Sequence, residues 1–415
     1  MSGLQMTHPT TIDPAALTLD ALRGGLLRDR PAGRPAASGD WRVTDMKSEV
    51  IAASDAGIDG FTVNIMGFGG QNWDRTVALM RGAEQSGRKF TIVPNLDMTG
   101  SVGTTSMSTI GLKLAELYRS PSAYRLASGE YVLSSFAAEK KTPQWWAQLK
   151  TTMLQTHGIK IAFIAVFLNS SDANMGAFAP ISYALGNWGV RTPSSIRSAA
   201  DFAAKARALG VKWMSPVAMQ DVRPRGYKYA EANNTETLRA SWEKAISTGA
   251  DLIQLVTWND YSEGTSFAPS AAHGTSFLDI NAYYQTRFKT GKAPAITGDS
   301  LYITHRTQSF SAIPQLTYQR MSPNLSGTGT VPRDTVEVFT FLIAPARVTV
   351  NIGTTAMSYD APSGVFTKTF PLALGSVSAN AARSGSTILQ VNSPFKVVAK
   401  PLVEDLQYFA VSSRK

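Results

Sequence analysis

Seven short apolar runs alternate with helix-patterned stretches between residues 44 and 288, and this alternation narrows the possible folds more than any other feature. The runs begin near Ile58, Lys89, Tyr131, Lys160, Ile181, Lys212 and Leu252. Between them, residues 44–56, 75–86, 109–118, 143–155, 194–209, 235–247 and 278–288 carry a helical period. Gly87, Gly158, Gly210 and Gly249 follow helices as C-terminal caps, and Thr142 before Pro143 reads as an N-cap with proline in the first turn. Strand and helix in alternation specify an α/β protein built on a parallel sheet. A closed (β/α)8 TIM-type barrel needs eight strands, one more than the seven visible; a doubly wound open sheet can have seven. Polar or aromatic residues stand at most strand C-terminal ends: Asn64, Asp97, Asn169, Asn187-Trp188, Gln220-Asp221 and Trp258-Asn259-Asp260. Such residues fed from strand ends all round a sheet favour the barrel, because an open sheet gathers its site at one crevice.

From about residue 295 the pattern changes. Residues 301–304, 335–342, 347–352, 365–372, 387–391, 395–398 and 406–411 alternate apolar with polar side chains, separated by Gly, Pro, Asn and Ser. This predicts a C-terminal antiparallel β-sandwich. Such a domain is expected to support the barrel by packing, with polymer binding as the alternative. The expected organisation is an irregular segment over 1–40 (with one short helical turn at 14–22), a barrel catalytic domain over 41–294 and the sandwich over 295–415.

Chemistry concentrates in Trp258-Asn259-Asp260-Tyr261-Ser262-Glu263-Gly264, directly after the apolar run 252–256. Two carboxyls three residues apart, beside aromatic rings at a strand end, suit hydrolysis of a sugar–sugar bond. One carboxyl can stay protonated as acid while the other activates water, and aromatic faces stack on sugar faces.

Composition removes several other classes. The 415-residue chain has no Cys, so disulfides, thiolate metal sites and Cys nucleophiles are excluded. Four scattered His (His8, His157, His273, His305) form no cluster, and neither a metal nor a cofactor is called for. Gly67-Phe68-Gly69-Gly70 is too loose for a dinucleotide fingerprint. The net charge of +10 comes from dispersed Lys and Arg, densest at 23–34, 139–141 and 223–228, without the basic–aromatic interleaving of a nucleic-acid groove. No apolar run reaches the roughly 18 residues of a spanning helix. Residues 1–20 lack the order of a signal peptide. A monomer acting on a polysaccharide, with no nucleic-acid or membrane partner, is expected.

Three segments resemble glycoside hydrolase family 71, the α-1,3-glucanases (mutanases), in its bacterial form. Ala56-Gly57-Ile58-Asp59-Gly60-Phe61-Thr62-Val63-Asn64 is similar to the family's A-G-I-D-G-F-x-x-N strand, Leu96-Asp97-Met98 to its F-D-M strand end, and Trp258-Asn259-Asp260-Tyr261-Ser262-Glu263 to its W-N-D-Y-x-E motif. The later Phe267-Ala268-Pro269-Ser270 and His273-Gly274-Thr275 also fit. The resemblance covers roughly residues 22 to 290. It implies a (β/α)8 barrel, inverting hydrolysis of α-1,3-glucan, secretion, and catalysis by Asp260 and Glu263. Two departures stand out: Ser262 replaces a common Gly, and the barrel's first strand is not found in residues 1–40.

Within that frame Glu263 is expected as general acid and Asp260 as general base. Asp97, Asn64, Asn187, Trp188, Gln220, Trp258, Asn259 and Tyr261 are expected to contact substrate. Asp59 is expected at the barrel's bottom face, Trp145-Trp146 and Trp213 in packing, and His273 exposed in its loop. The alternatives are a glycosidase of other polysaccharide specificity and a non-catalytic glucan-binding protein with an incomplete barrel.

Overall fold

The computed structural model describes residues 29–33, 39–316, 320–323 and 331–414; the expected helical turn at 14–22 lies outside them. Helix α1 (Trp41–Asp55) leads into β1 (Gly60–Ile65). The chain continues through α2 (Gly70–Gln85), β2 (Thr91–Asp97), α3 (Met107–Leu117), β3 (Tyr131–Phe136), α4 (Pro143–His157), β4 (Ile161–Phe167) and α5 (Asp172–Phe178). Then come β5 (Ala184–Asn187), α6 (Pro193–Ser198), α7 (Phe202–Ala208), β6 (Lys212–Val217), the hairpin strands β7 (Asp221–Arg223) and β8 (Lys228–Ala230), α8 (Glu236–Ser247), β9 (Leu252–Leu255) and α9 (Ser276–Thr290). Strands β1-β2-β3-β4-β5-β6-β9 pair in that order, all parallel. Every residue of β4 is buried, as a parallel strand covered on both faces requires.

Local chemistry sets the helix ends. Thr142 accepts a hydrogen bond from Trp145 N–H, Pro143 occupies the first turn, and Gly158 ends α4 at φ 68°. The single helix expected over 194–209 is two. Thr192 caps α6 by accepting from Ser195 N–H, and Asp201 starts α7 by accepting from Ala204 N–H at 2.8 Å. The fifth strand lies later than the expected 181–185, because Ala179–Ile181 forms a 3-10 turn with Pro180 in its first turn.

Among the described residues β9 and β1 do not pair through their backbones. Side chains span the gap: Gln254 Nε2 donates to Thr62 Oγ1 at 3.3 Å, and the Trp258 ring packs 5.2 Å from Phe61. Trp258 Nε1 also donates to Glu49 of α1 at 2.6 Å. The result is an α/β barrel-like sheet. Trp146 (stacked on Phe163) and Trp213 lie in its packing as expected, and Asp59, at the strand's N-terminal side, pairs with Lys289 at 2.6 Å.

The C-terminal strands are β10 (Ser300–His305), β11 (Ser322–Pro323), β12 (Thr335–Leu342), β13 (Ala346–Ile352), β14 (Thr355–Ala361), β15 (Gly364–Pro371), β16 (Val377–Arg383), β17 (Ser386–Asn392) and β18 (Phe409–Ser412). Two antiparallel sheets, β15-β12-β10-β18 and β14-β13-β16-β17, close a sandwich core of Leu301, Ile303, Val336, Val338, Val348 and Val350. The strand expected at 395–398 makes only an isolated bridge, Gly375 with Val397. The other face of the first sheet packs on the barrel: Tyr302, Phe339 and Phe341 join Leu238, Trp242, Phe277 and Tyr284. No helix among the described residues is long and apolar enough to cross a membrane.

Candidate active site

Strand β9 delivers the acidic loop to the C-terminal edge of the parallel sheet. Tyr261–Glu263 wind into a 3-10 turn, and Gly264 leaves it at φ 62°, a left-handed conformation glycine adopts without steric cost. A Cβ at Gly264 would lie 3.3 Å from Val222 of β7, so glycine also lets the turn rest against the β7–β8 hairpin.

That hairpin supplies what the acidic loop lacks. Asp221 and Arg223 are two apart on β7 and so share a face. Arg223 donates to both Asp221 oxygens (2.6 and 2.8 Å) and to Glu263 Oε1 (2.8 Å), and its Nη2 pairs with Glu263 Oε2 at 2.8 Å. Asp260 stands in a more polar setting, its Oδ1 accepting from Ser262 Oγ at 2.7 Å and its N–H donating to Thr257 Oγ1 at 3.2 Å.

The two carboxyls therefore differ in environment. Burial pushes Glu263 up to about 7; Arg223 pulls it down, while Asp260 and Asp221 push it up further. Near neutral pH a large share of Glu263 holds its proton, which is the condition for a general acid. Even when it is protonated, Arg223 can keep one oxygen fixed while the other carries the transferable proton.

The expected sugar contacts fall into groups. Asp97, buried at the end of β2, accepts from Asn64 Nδ2 (2.9 Å), Thr99 N–H (2.9 Å) and Thr99 Oγ1 (2.6 Å). Asn64 Oδ1 in turn accepts from Asn95 at 2.8 Å. Asn187 donates to Ser170 Oγ at 3.0 Å. Trp188 meets Phe136 edge-on at 4.8 Å and lines a cleft with Arg191, Asp221, Arg223 and Tyr229. Asn259 is exposed, and Tyr261 OH lies 3.5 Å from the Pro269 carbonyl. Two others turn towards packing: Trp258 to Glu49, and buried Gln220, whose Oε1 accepts Tyr408 N–H of the sandwich at 2.9 Å.

His273 is buried rather than exposed, its Nε2 3.6 Å from Asp29. The reason is the segment at 29–32, which pairs with the loop after the acids: Ala32 N–H donates to Pro269 O and Ala271 N–H to Arg30 O, each at 2.9 Å. Arg191, Asp221 and Arg223 were not among the expected site residues. The signals available were Asp221 at a strand end and Arg223 opening the basic piece 223–228.

Two carboxyls three residues apart in unlike surroundings suit cleavage of a glycosidic bond, and the chain is a glycoside hydrolase. Residues 36–411 match the family model described as Glycosyl hydrolase family 71, and the chain belongs to that family. It is similar to a mutanase of Penicillium rubens, 23% identical over 372 residues that cover 84% of this chain and 80% of that protein. It is also similar to a glucan endo-1,3-alpha-glucosidase of Schizosaccharomyces pombe, 22% identical over 377 residues, covering 85% and 87%. Among solved structures, a GH99 endo-alpha-mannosidase of Bacteroides thetaiotaomicron is similar with a TM-score of 0.50 at 16% identity, over 60% of this chain and 84% of that one. That likeness is one of fold, an α/β barrel-like architecture.

Proposed function

We propose that this chain hydrolyses α-1,3-glucosidic bonds of α-1,3-glucan with inversion, Glu263 acting as general acid and Asp260 as general base. The observation that carries the reading is the unequal pair itself: Glu263 pushed up to about 7 by burial, three residues from Asp260 in a polar turn. The linkage is supported by the family and by relatives named mutanase and glucan endo-1,3-alpha-glucosidase.

In this mechanism Glu263 protonates the glycosidic oxygen as the bond to the anomeric carbon breaks. Asp260 takes a proton from a water that attacks the opposite face of the sugar. Inverting enzymes hold their carboxyls roughly 6.5–9.5 Å apart to admit that water. Asp97, Asn64, Asn187 and Trp188 then serve as sugar contacts around the cleft. We take the parent architecture to be the (β/α)8 barrel, with its first strand belonging between β9 and β1. Residues 41–294 act as the catalytic unit and 295–415 as its support.

The test is release of soluble reducing sugar from insoluble α-1,3-glucan by the parent and by Glu263→Gln, with β-1,3- and α-1,4-glucans as controls. The parent is expected to release sugar, and the variant to lose about 10²- to 10⁴-fold, the usual worth of a general acid. Cleavage of a control alone would overturn the linkage, and no cleavage at all would overturn the activity.

A further inference from the structure

Arg191 lies on the loop after β5, its side chain 7% exposed, in the cleft shared by Trp188, Asp221 and Arg223. Its backbone is fixed, since Thr237 Oγ1 of α8 donates to the Arg191 carbonyl at 2.8 Å. Its guanidinium is not satisfied. Nη1 reaches the Val190 carbonyl at 3.4 Å, whereas Nε and Nη2 are buried with no hydrogen-bond partner among the described residues. The facing Asp221 Oδ2 stands 3.8 Å from Nε, beyond hydrogen-bond reach. Buried polar groups are nearly always paired, so two unpaired guanidinium nitrogens on a residue that lines the cleft beside the acid call for an outside acceptor.

The neighbours define that acceptor. The Trp188 ring centre lies 6.0 Å from the Arg191 guanidinium carbon, giving an apolar face beside the donors. Gly189 lets Pro216 and Arg191 pack against the loop: a Cβ there would lie 2.6 Å from Pro216 and 3.2 Å from Arg191 Nη1. The cleft lining carries Arg191, Arg223 and Lys228 with Asp221 among them, so charge balance does not choose the ligand. The choice comes from mixed chemistry: a carboxylate that accepts stands beside a guanidinium that donates and an indole ring. This suits a polyol that accepts from Arg191, donates to Asp221 and lays a ring face on the indole.

We infer that Arg191, Trp188 and Asp221 form a sugar subsite next to the acid, holding one glucosyl unit by its ring face and two adjacent hydroxyls, with Arg191 as a specificity-determining residue. This rests on the reading of Glu263 and Asp260 as a hydrolytic pair for neutral glucan.

Calorimetric binding of an α-1,3-linked glucose tetramer to the full chain tests it. Glu263→Gln is the background, alone or combined with Arg191→Met, Arg191→Lys or Trp188→Ala. KM and kcat of the Arg191 variants are measured in the active background. Arg191→Met is expected to weaken binding at least about 10-fold, the worth of a hydrogen bond to a charged group. The loss falls mainly on KM, and Arg191→Lys does not restore it because the planar fork is gone. The unfolding midpoint stays level or rises, since a poorly paired buried charge has been removed. Unchanged binding and KM in Arg191→Met would overturn the subsite while leaving the hydrolase standing. So would a loss that tracks a lowered midpoint and is rescued by Lys. A parent that cleaves no glucan, with tetramer binding still dependent on Arg191, would overturn the hydrolytic reading and keep the subsite.

Discussion

Glu263 is where burial and charge compete most directly. With its carboxyl at about 7, kcat/KM is expected to fall as pH rises through about 7, because the acid form is lost. Arg223→Met removes the charge that most lowers Glu263, so this alkaline limb moves to higher pH; the pH–rate profiles of parent and variant check it. Stability follows from the same shift. The native carboxyl binds its proton more tightly than an ordinary one at 4.5, so between about 4.5 and about 7 the native state holds more protons than the unfolded one. This contribution to stability therefore falls as pH rises across that window. Glu263→Gln abolishes that slope and gains on the parent by pH 8 relative to pH 4, read from denaturant midpoints. Asp260 and Glu263 were legible because acids beside Trp and Tyr follow an apolar run. Their partners Asp221 and Arg223 were not, because β7 is three residues long and shows no readable period.

At the scale of elements, the join between β9 and β1 depends on side chains where the other neighbours in the sheet share backbone hydrogen bonds. Trp258 packs on Phe61 and donates to Glu49, so Trp258→Ala is expected to cost about 3 kcal/mol, the lower end for loss of a large core aromatic. Urea unfolding measures this. Asp97 organises the ends of β1 and β2 through three hydrogen bonds, and Asp97→Ala leaves Asn64 and Thr99 without it, at about 1–3 kcal/mol by the same measurement. Six of the seven parallel strands could be read from their apolar runs, whereas β5 (ALGN) holds no Val, Ile or Phe and lies later than the expected 181–185. Strands β14 and β16 could not: TAMSYDA and VSANAAR are built from small and polar residues that carry little hydrophobic alternation. Likewise the break between α6 and α7 rests on Asp201 capping inside an Ala-rich stretch, a local choice that helical periodicity does not reveal.

Across the whole molecule, barrel and sandwich are joined by a buried polar network as well as by apolar packing. Arg306 Nη2 donates to Glu231 Oε2 at 2.7 Å, Tyr408 OH donates to Glu231 Oε1 at 2.8 Å, and Arg306 Nε donates to the Leu406 carbonyl at 2.8 Å. Removing one partner leaves a buried charge uncompensated, so Arg306→Met is expected to cost about 3–5 kcal/mol, and Glu231→Leu/Arg306→Met much less than the sum of the singles. Scanning calorimetry checks both values and is expected to show one shared transition in the parent. Gln220 belongs to this junction by its bond to Tyr408, a placement that its position at a strand end could not reveal. The account as a whole turns on the pair at the end of β9. Proton NMR of the anomeric signals during cleavage of a soluble α-1,3-linked gluco-oligosaccharide tests it most directly. The account predicts that the β-anomer of the new reducing end appears first and that Glu263→Gln slows its appearance about 10²- to 10⁴-fold. First appearance of the α-anomer, or no cleavage of this linkage by the parent, would contradict it.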